Sequence, residues 1–401
     1  MDMWSGWNAS SAAPTASDGH EIVCRLSFEF LRSGAFRAVE TLAVVCDAVT
    51  LMANVALLWF LRRPSVHVHL RVTLGSTAVA NCVYVGSHML LNGFNLSRYF
   101  RSWRGDCEAI LLDQGLCSDV LLPGYVGVGV TVYSFTATAI ERVWATVAFR
   151  SYETRRSVAF IVAALLFPWL MTFIFLTPIL LELLEERRFG RSAAEAEEVA
   201  YCSSYNTHLF DEFPWAALAF NFSMNAVLVV VFATALLWNR KSNARVAAVP
   251  MQTEGSMLTM GAKYQLRENV RTTEAVFKMT AALFCTSAWN QLAFTLNRHD
   301  LLQFAFPTTF EKVLFAEASN LMLPLFGAAH AIVVIRSSSQ LRSLARAAFP
   351  RLVGDWLFQP TTAARLQRQQ RQQQRAETFE DHFERLGKLW EEGRVPTAKP
   401  V

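Results

Sequence analysis

Residues 118–146 read SDVLLPGYVGVGVTVYSFTATAIERVWAT, and the stretch between Asp119 and Glu141 holds 21 residues without a charge. A bilayer's hydrocarbon core takes about 20 mostly apolar residues of helix. The stretch is therefore read as a membrane span, with Cys117 at one end and Glu141-Arg142 at the other. Cys117 precedes Arg142 by 25 residues, or about 37 Å of helix at about 1.5 Å per residue. That is one crossing plus a turn at each surface.

Six similar runs lie on either side, so the predicted spans are 38–61, 72–94, 118–141, 158–183, 213–238, 275–296 and 313–335. The first carries Glu40 and Asp47; the sixth is the weakest, with Lys278, Asn290 and Gln291. The composition agrees. Of 401 residues, 53% are hydrophobic and 17% charged, whereas a soluble domain has about 45–50% and about 25%. A soluble multidomain enzyme, a disordered chain, a collagen and a disulfide scaffold are excluded on those grounds. A net charge of +4 is too small for a dedicated nucleic-acid binder. The expected fold is an all-α membrane protein, a seven-transmembrane helix bundle embedded in the lipid bilayer.

Basic residues favour the cytoplasmic side of membrane proteins. With the N-terminus outside, 11 of the 37 lysines and arginines fall outside and 26 inside; leaving out the tail, the inner side still leads by 14 to 11. Four regions follow: an extracellular N-terminus at 1–37, the bundle at 38–335, a juxtamembrane amphipathic helix at 336–354 and a cytoplasmic tail at 355–401. Residues 1–37 lack a basic start followed by a short apolar region, so no cleavable signal peptide is read there and the first span serves as the anchor. Asn8-Ala9-Ser10 is a glycosylation acceptor in a Ser-, Ala- and Pro-rich segment expected to be exposed and mobile. Asn95-Leu96-Ser97 is too close to the membrane, and Asn221-Phe222-Ser223 lies inside a span.

The cysteines divide along the same topology. Cys46, Cys82 and Cys285 fall within spans, while Cys24, Cys107, Cys117 and Cys202 fall outside. Four thiols in an oxidising compartment suit disulfides and permit three pairings. Cys117–Cys202 is preferred, tying the top of the third span to the second outer loop, with Cys24–Cys107 as the remainder.

An acid–arginine pair at the inner end of the third of seven helices, with a cysteine at its outer end, resembles G-protein-coupled receptors. The surroundings of Asn54 in the first span and of Asn81 in the next resemble the rhodopsin-like pattern. The sixth span lacks the proline expected after Trp289, however, and the seventh reads Asn320-Leu321-Met322-Leu323-Pro324. Two other motifs match better. Glu141-Arg142-x-x-Ala145-Thr146, followed by Tyr152-Glu153, resembles the nematode serpentine chemoreceptors of the Sra superfamily. So does Tyr264-Gln265-Leu266-Arg267-Glu268-Asn269-Val270-Arg271 leading into the sixth span. Sre is the first choice of branch, with Srb, Srab and Sra behind. The resemblance covers residue 38 to about 350. It does not account for the insertion around Val246–Gly261 or for the long Gln/Arg-rich tail.

The resemblance implies a chemosensory receptor that binds an external small molecule and signals to a heterotrimeric G protein, without enzymatic activity or cofactor. It places the chain in the plasma membrane as a multi-pass protein, by resemblance in sensory neurons. Glu141, Arg142, Tyr152, Glu268 and Glu274 are the expected coupling and activation residues, with the carboxylate partner of Arg142 left open between the adjacent Glu141 and, across the helices, Glu268 or Glu274. A rhodopsin-like receptor for another ligand is the alternative. A seven-span transporter is less favoured, since no internal repeat or matched helix breaks are seen. No hydrolase or metalloprotease motif occurs, and His67-x-His69 lacks a third ligand nearby, so no metal or nucleic-acid partner is expected. Ligand identity, G-protein class and oligomeric state are not legible.

Ionisable residues inside a membrane normally face the bundle interior. Asp47, Glu317 and His330 are read so, with Glu40 and Asp119 near the outer surface within reach of water. Asp47 and Asn54 share a face of the first span, and Glu317 and Asn320 share one of the seventh. Asp47, Asn54, Asn81 and Asn320 are expected to form an interhelical polar network. Asp119, Trp289, Asn290 and Glu317 are the ligand-pocket candidates, Trp289 because a mid-span indole N–H needs a partner. In the tail, Phe379, Phe383, Leu386 and Trp390 recur at helical spacing, marking an amphipathic segment.

Overall fold

A computed structural model describes residues 16–62, 68–102, 107, 110–147, 158–189, 198–199, 202, 214–248, 260–298, 309–337 and 339–348. Asn8, His67, Tyr152 and the tail beyond 348 lie outside the described residues, as do the side chains of His69 and Glu268. The helices are α1 (Ala16–Arg32), α2 (Gly34–Leu61), α3 (Val68–Ser102), α4 (Gln114–Val147), α5 (Val158–Phe189), α6 (Pro214–Ala248), α7 (Met260–Arg298), α8 (Thr309–Asn320), α9 (Met322–Ser337) and α10 (Ser339–Ala348). Two short strands, β1 (Leu112–Asp113) and β2 (Glu198–Val199), pair antiparallel, Leu112 opposite Val199.

From α2 to α9 the spans close into a ring. α2 packs on α3, α3 on α4, α4 on α6, α6 on α7, α7 on α9, and α9 returns to α2, while α5 lies against α3 and α4. α4 is the most enclosed, touching α3, α5, α6 and α7. Among the described residues, five helical spans are long and apolar enough to cross a membrane: α2, α4, α5, α6 and the α8–α9 pair. α3 and α7 are long enough but more polar. For α3 the reason is visible, because Ser76, Thr77, Asn81, Ser87, His88 and Asn92 are all buried. Its polar residues face other helices rather than lipid, as burial cost requires.

Several boundaries depart from the expected ones. α3 continues to Ser102 and α7 begins at Met260, so both extend beyond the apolar core at one end. The seventh span is interrupted at Leu321. Pro324 lacks an N–H and its ring crowds the carbonyl four residues back, which accounts for a break beginning at Asn320. The N-terminal segment, read in the sequence as an exposed, mobile stretch around Asn8, forms α1 over Ala16–Arg32. Val23, Leu26, Phe30 and Leu31 recur at helical spacing and give it one apolar face. Phe30 packs on Phe36 of α2 and Phe310 of α8, with Val313 beneath. Ser33 separates α1 from α2 and caps the latter through the Phe36 N–H at 3.3 Å.

α5 is the counterpart of α4. It is the least buried of the apolar spans, and most of its large side chains point outward. It touches the interior at few points. Trp169 donates to Ser76 of α3 at 3.2 Å, and Thr172 lies where a Cβ on Gly129 of α4 would come within 2.7 Å of its methyl.

Both disulfides lie at one end of the bundle, Cys24–Cys107 joining α1 to the segment after α3 and Cys117–Cys202 joining α4 to the segment after β2. Asn95 of α3 is buried and donates to the Cys202 carbonyl at 3.3 Å, so the acceptor motif there is occupied. Arg142 lies at the other end, near the close of α4. Disulfides form in oxidising compartments, so the cysteine end is expected outside. A tag before Met1 should then bind antibody on intact cells, and one after Val401 only after permeabilisation. The reverse labelling would overturn this sidedness.

Candidate functional site: an arginine interlock and a polar seam

At the end opposite the disulfides, three helices meet around Arg142. Its guanidinium is forked onto the adjacent Glu141 carboxylate and also donates to the Thr272 hydroxyl of α7 at 2.6 Å. Thr272 in turn donates to the Asn269 carbonyl at 3.3 Å. Asn269 reaches back across the interface and donates to the Ala145 carbonyl of α4 at 3.0 Å. Asn239 of α6 donates to Thr146 at 3.0 Å and Thr273 at 3.3 Å. The Glu141–Thr146 and Tyr264–Arg271 motifs therefore touch each other. Glu141, Arg142 and Asn239 are almost wholly buried, and a charge-assisted hydrogen bond at such a place is of the stronger kind.

The expected carboxylate partner across the helices is corrected for Glu274. It takes Lys278 at 2.9 Å and Arg240 at 3.3 Å on a partly exposed face. The Lys278 hydrogen bond, reinforced by Arg240, holds its carboxyl below the usual carboxylate range. Its position four residues before Lys278 explains the choice. Glu268 belongs to α7.

The interior polar residues fall into two groups. Asn81 of α3 donates to Asn54 of α2 at 3.3 Å and accepts from Thr131 of α4 at 3.1 Å. Asn54 donates to the Gly327 carbonyl of α9 at 3.2 Å, and Thr50 to the Pro324 carbonyl at 2.7 Å. This group fixes the junction of the first, second, third and seventh spans. Nearer the disulfides, Asp47 contacts His88 at 2.9 Å and accepts from Asn92 at 3.5 Å. Asn320 donates to Glu317 at 3.2 Å within α8. Asp47 thus sits in a second cluster with His88 and Asn92, and Asn320 sits beside Glu317 on α8. His88 and Asn92 carry no charge or motif that marks them in the sequence, although with Asn95 their i, i+4, i+7 spacing places them on one face.

Three pocket expectations change with the side chains in place. Trp289 is 41% exposed and leans on Phe315 with ring centres 6.2 Å apart, so its ring leaves the bundle interior. The inward face of α7 is instead Met279, Leu283, Thr286 and Ala293. Asp119 lies on an exposed face of α4, while Asn290 is partly buried. Glu40, expected within reach of water, is only 1% exposed. α1 accounts for that, because Phe30 covers Phe36 one turn before Glu40. Glu317 and His330 are buried as expected, His330 edge-on to Phe135.

The family model for serpentine type seven-transmembrane G-protein-coupled receptor class ab chemoreceptors matches residues 21–349. The chain belongs to that family. It is a multi-pass membrane chemoreceptor of the nematode serpentine group, in a receptor rather than an enzyme family. The branch is class ab, Srab, instead of the Sre class expected first. The match begins at residue 21, inside α1, so this receptor's family homology takes in a helix that precedes the first predicted span. No curated protein matches the chain.

Proposed function

We propose that the receptor binds an external small molecule in the disulfide-bearing half of its bundle and signals to a heterotrimeric G protein at the Arg142 end, from the plasma membrane of sensory neurons. The observation that carries this reading is the closed loop from Arg142 through Thr272 and Asn269 to Ala145. It ties α4 to α7 by hydrogen bonds that a small outward movement of α7 would break together. A ligand shifts such an equilibrium only by binding one state more tightly. The interlock holds the resting state, and its opening frees Arg142 for the G protein.

Thr272→Ala removes the acceptor of the Arg142 bond. Hydrogen bonds to charged groups contribute about 1.5–3 kcal/mol, enough to raise the minor-state population roughly tenfold or more. Basal second-messenger output per surface receptor should rise accordingly, and Asn269→Ala should do the same. Both variants are measured beside wild type in cells challenged with a panel of volatile and water-soluble small molecules. Wild-type cells unresponsive to every G-protein reporter, together with unchanged basal output in both variants, would sink the reading.

A further inference from the structure

The disulfide-bearing half of the bundle contains a seam of buried carboxylates between α2, α3 and α8. Glu40 and Asp47 stand on one face of α2, and Glu317 on α8. All three are more than nine-tenths buried. Glu40 interacts electrostatically with both of the others and, in the opposite sense, with Arg98. That guanidinium is already directed at the Ile110 carbonyl and at Asn95.

Glu40 is the decisive residue. Neither of its carboxylate oxygens receives a hydrogen bond, and the second oxygen of Asp47 receives none either. The Asn95 amide alongside gives an N–H to Cys202. A buried acceptor without a donor costs about as much as a lost hydrogen bond or more, and an anionic one costs most. Such groups persist when something else supplies the donors. Water could donate, but it brings no charge to a seam where carboxylates outnumber guanidinium groups. A metal ion would need several close donors, and no group of three His, Cys, Asp or Glu side chains among the described residues converges in that way. A small cation carrying several N–H donors of its own supplies both the donors and the charge.

We infer that this seam is the receptor's ligand site and that it takes a small protonated primary amine, whose ammonium group donates to Glu40 and Glu317. This inference rests on the chemoreceptor reading above and names the class of molecule received. The neighbouring aromatics, Tyr84 stacked on His88 at 5.6 Å and Phe310 on Phe30 at 5.6 Å, supply apolar surface for the amine's carbon body.

The test uses the purified full-length receptor in detergent. Its thermal unfolding is followed with ammonium, methylammonium and a series of linear primary alkylammonium chlorides. Alcohols of the same chain length and matched sodium chloride serve as controls. At least one primary ammonium is expected to raise the unfolding midpoint by several degrees, as ligand linkage requires, while its alcohol does not. Glu40→Gln, and separately Glu317→Gln, should weaken the apparent affinity by about 10-fold or more. Without amine, Glu40→Gln should be at least as stable as wild type, because it removes an anionic group that has no donor. If Glu40→Gln does not fold, Glu317→Gln decides. No stabilisation by any member of the series, equal stabilisation by the alcohols, or unchanged affinity in every variant that folds would overturn the inference and leave a proton shared by the two glutamates as the occupant. No G protein enters this measurement. Amine binding without any cellular response would count against the signalling reading alone. A cellular response to neutral molecules without amine binding would count against the amine site alone.

Discussion

Replacing Arg142 with alanine is expected to remove the receptor from the cell surface, whereas neutralising Glu141 and Arg142 together is expected to spare surface expression and abolish signalling. The difference follows from burial. Glu141 is completely buried and its carboxylate is forked onto Arg142. Deleting one member of a buried pair leaves the other uncompensated and costs about 3–5 kcal/mol, while replacing both with neutral groups of similar size is often neutral or stabilising. That loss is a large part of the whole stability of a typical domain. The double variant Glu141→Gln/Arg142→Gln removes both buried charges, keeps the volume at 141 and retains an N–H donor at 142, so the bundle should assemble. It lacks the cation that the G protein would meet. Surface immunolabelling and second-messenger output, measured on the same cells, separate the two effects. Full signalling from the well-expressed double variant would reduce Arg142 to a structural role.

Gly127→Ala should also destabilise the bundle, by a different route. A Cβ at Gly127 would fall 2.6 Å from the Ala80 carbonyl oxygen and 2.8 Å from the Tyr84 amide nitrogen, both backbone atoms of α3. No rotamer change relieves a clash with backbone, so α3 and α4 would have to separate. Overpacking of a rigid core costs about 1–3 kcal/mol and occasionally more. Separation would also strain the Thr131–Asn81–Asn54 bonds that lie beside this contact. Close approach through small residues is how helices associate in lipid. Gly86 and Gly93 of α3 have nothing within 4 Å of such a Cβ and serve as controls. The expected result is a lower unfolding midpoint and reduced surface level for Gly127→Ala, with Gly86→Ala and Gly93→Ala near wild type. Equal behaviour of the three would show that the helices part without cost.

The spans are legible in the sequence because lipid imposes one simple rule on every one of them. The meeting of the first and seventh spans is also readable, since Asn54 and Asp47 share a face of one and Glu317 and Asn320 a face of the other. Partner choice is not. Residues i and i+1 on a helix do not normally face each other, so nothing in the sequence singles out Glu141 from Glu268 and Glu274 as the partner of Arg142. The long guanidinium arm folds back to reach Glu141, and the contact across the helices falls to Thr272, a residue with no charge to draw attention. Glu274 illustrates the same limit. Its distance from Arg142 depends on the rotation of α7, whereas Lys278 is close through the helix repeat alone. α1 is hard to read because its apolar stripe is short and follows a Ser- and Ala-rich leader, and only packing against Phe36 and Phe310 gives the stripe a purpose. Without α1 in place, Glu40 stands in apparent reach of water.

α5 carries the plainest hydrophobic text in the chain and specifies the least. Lipid accepts any apolar side chain, so most letters along its outward face are interchangeable synonyms. What identifies this helix as part of this bundle is concentrated at a few positions, among them Trp169 reaching Ser76, Phe167 and Phe175 set against Tyr133, and Thr172 filling the notch at Gly129. The polar letters scattered through α3, which weaken its resemblance to a membrane helix, carry most of the instructions for assembling the fold.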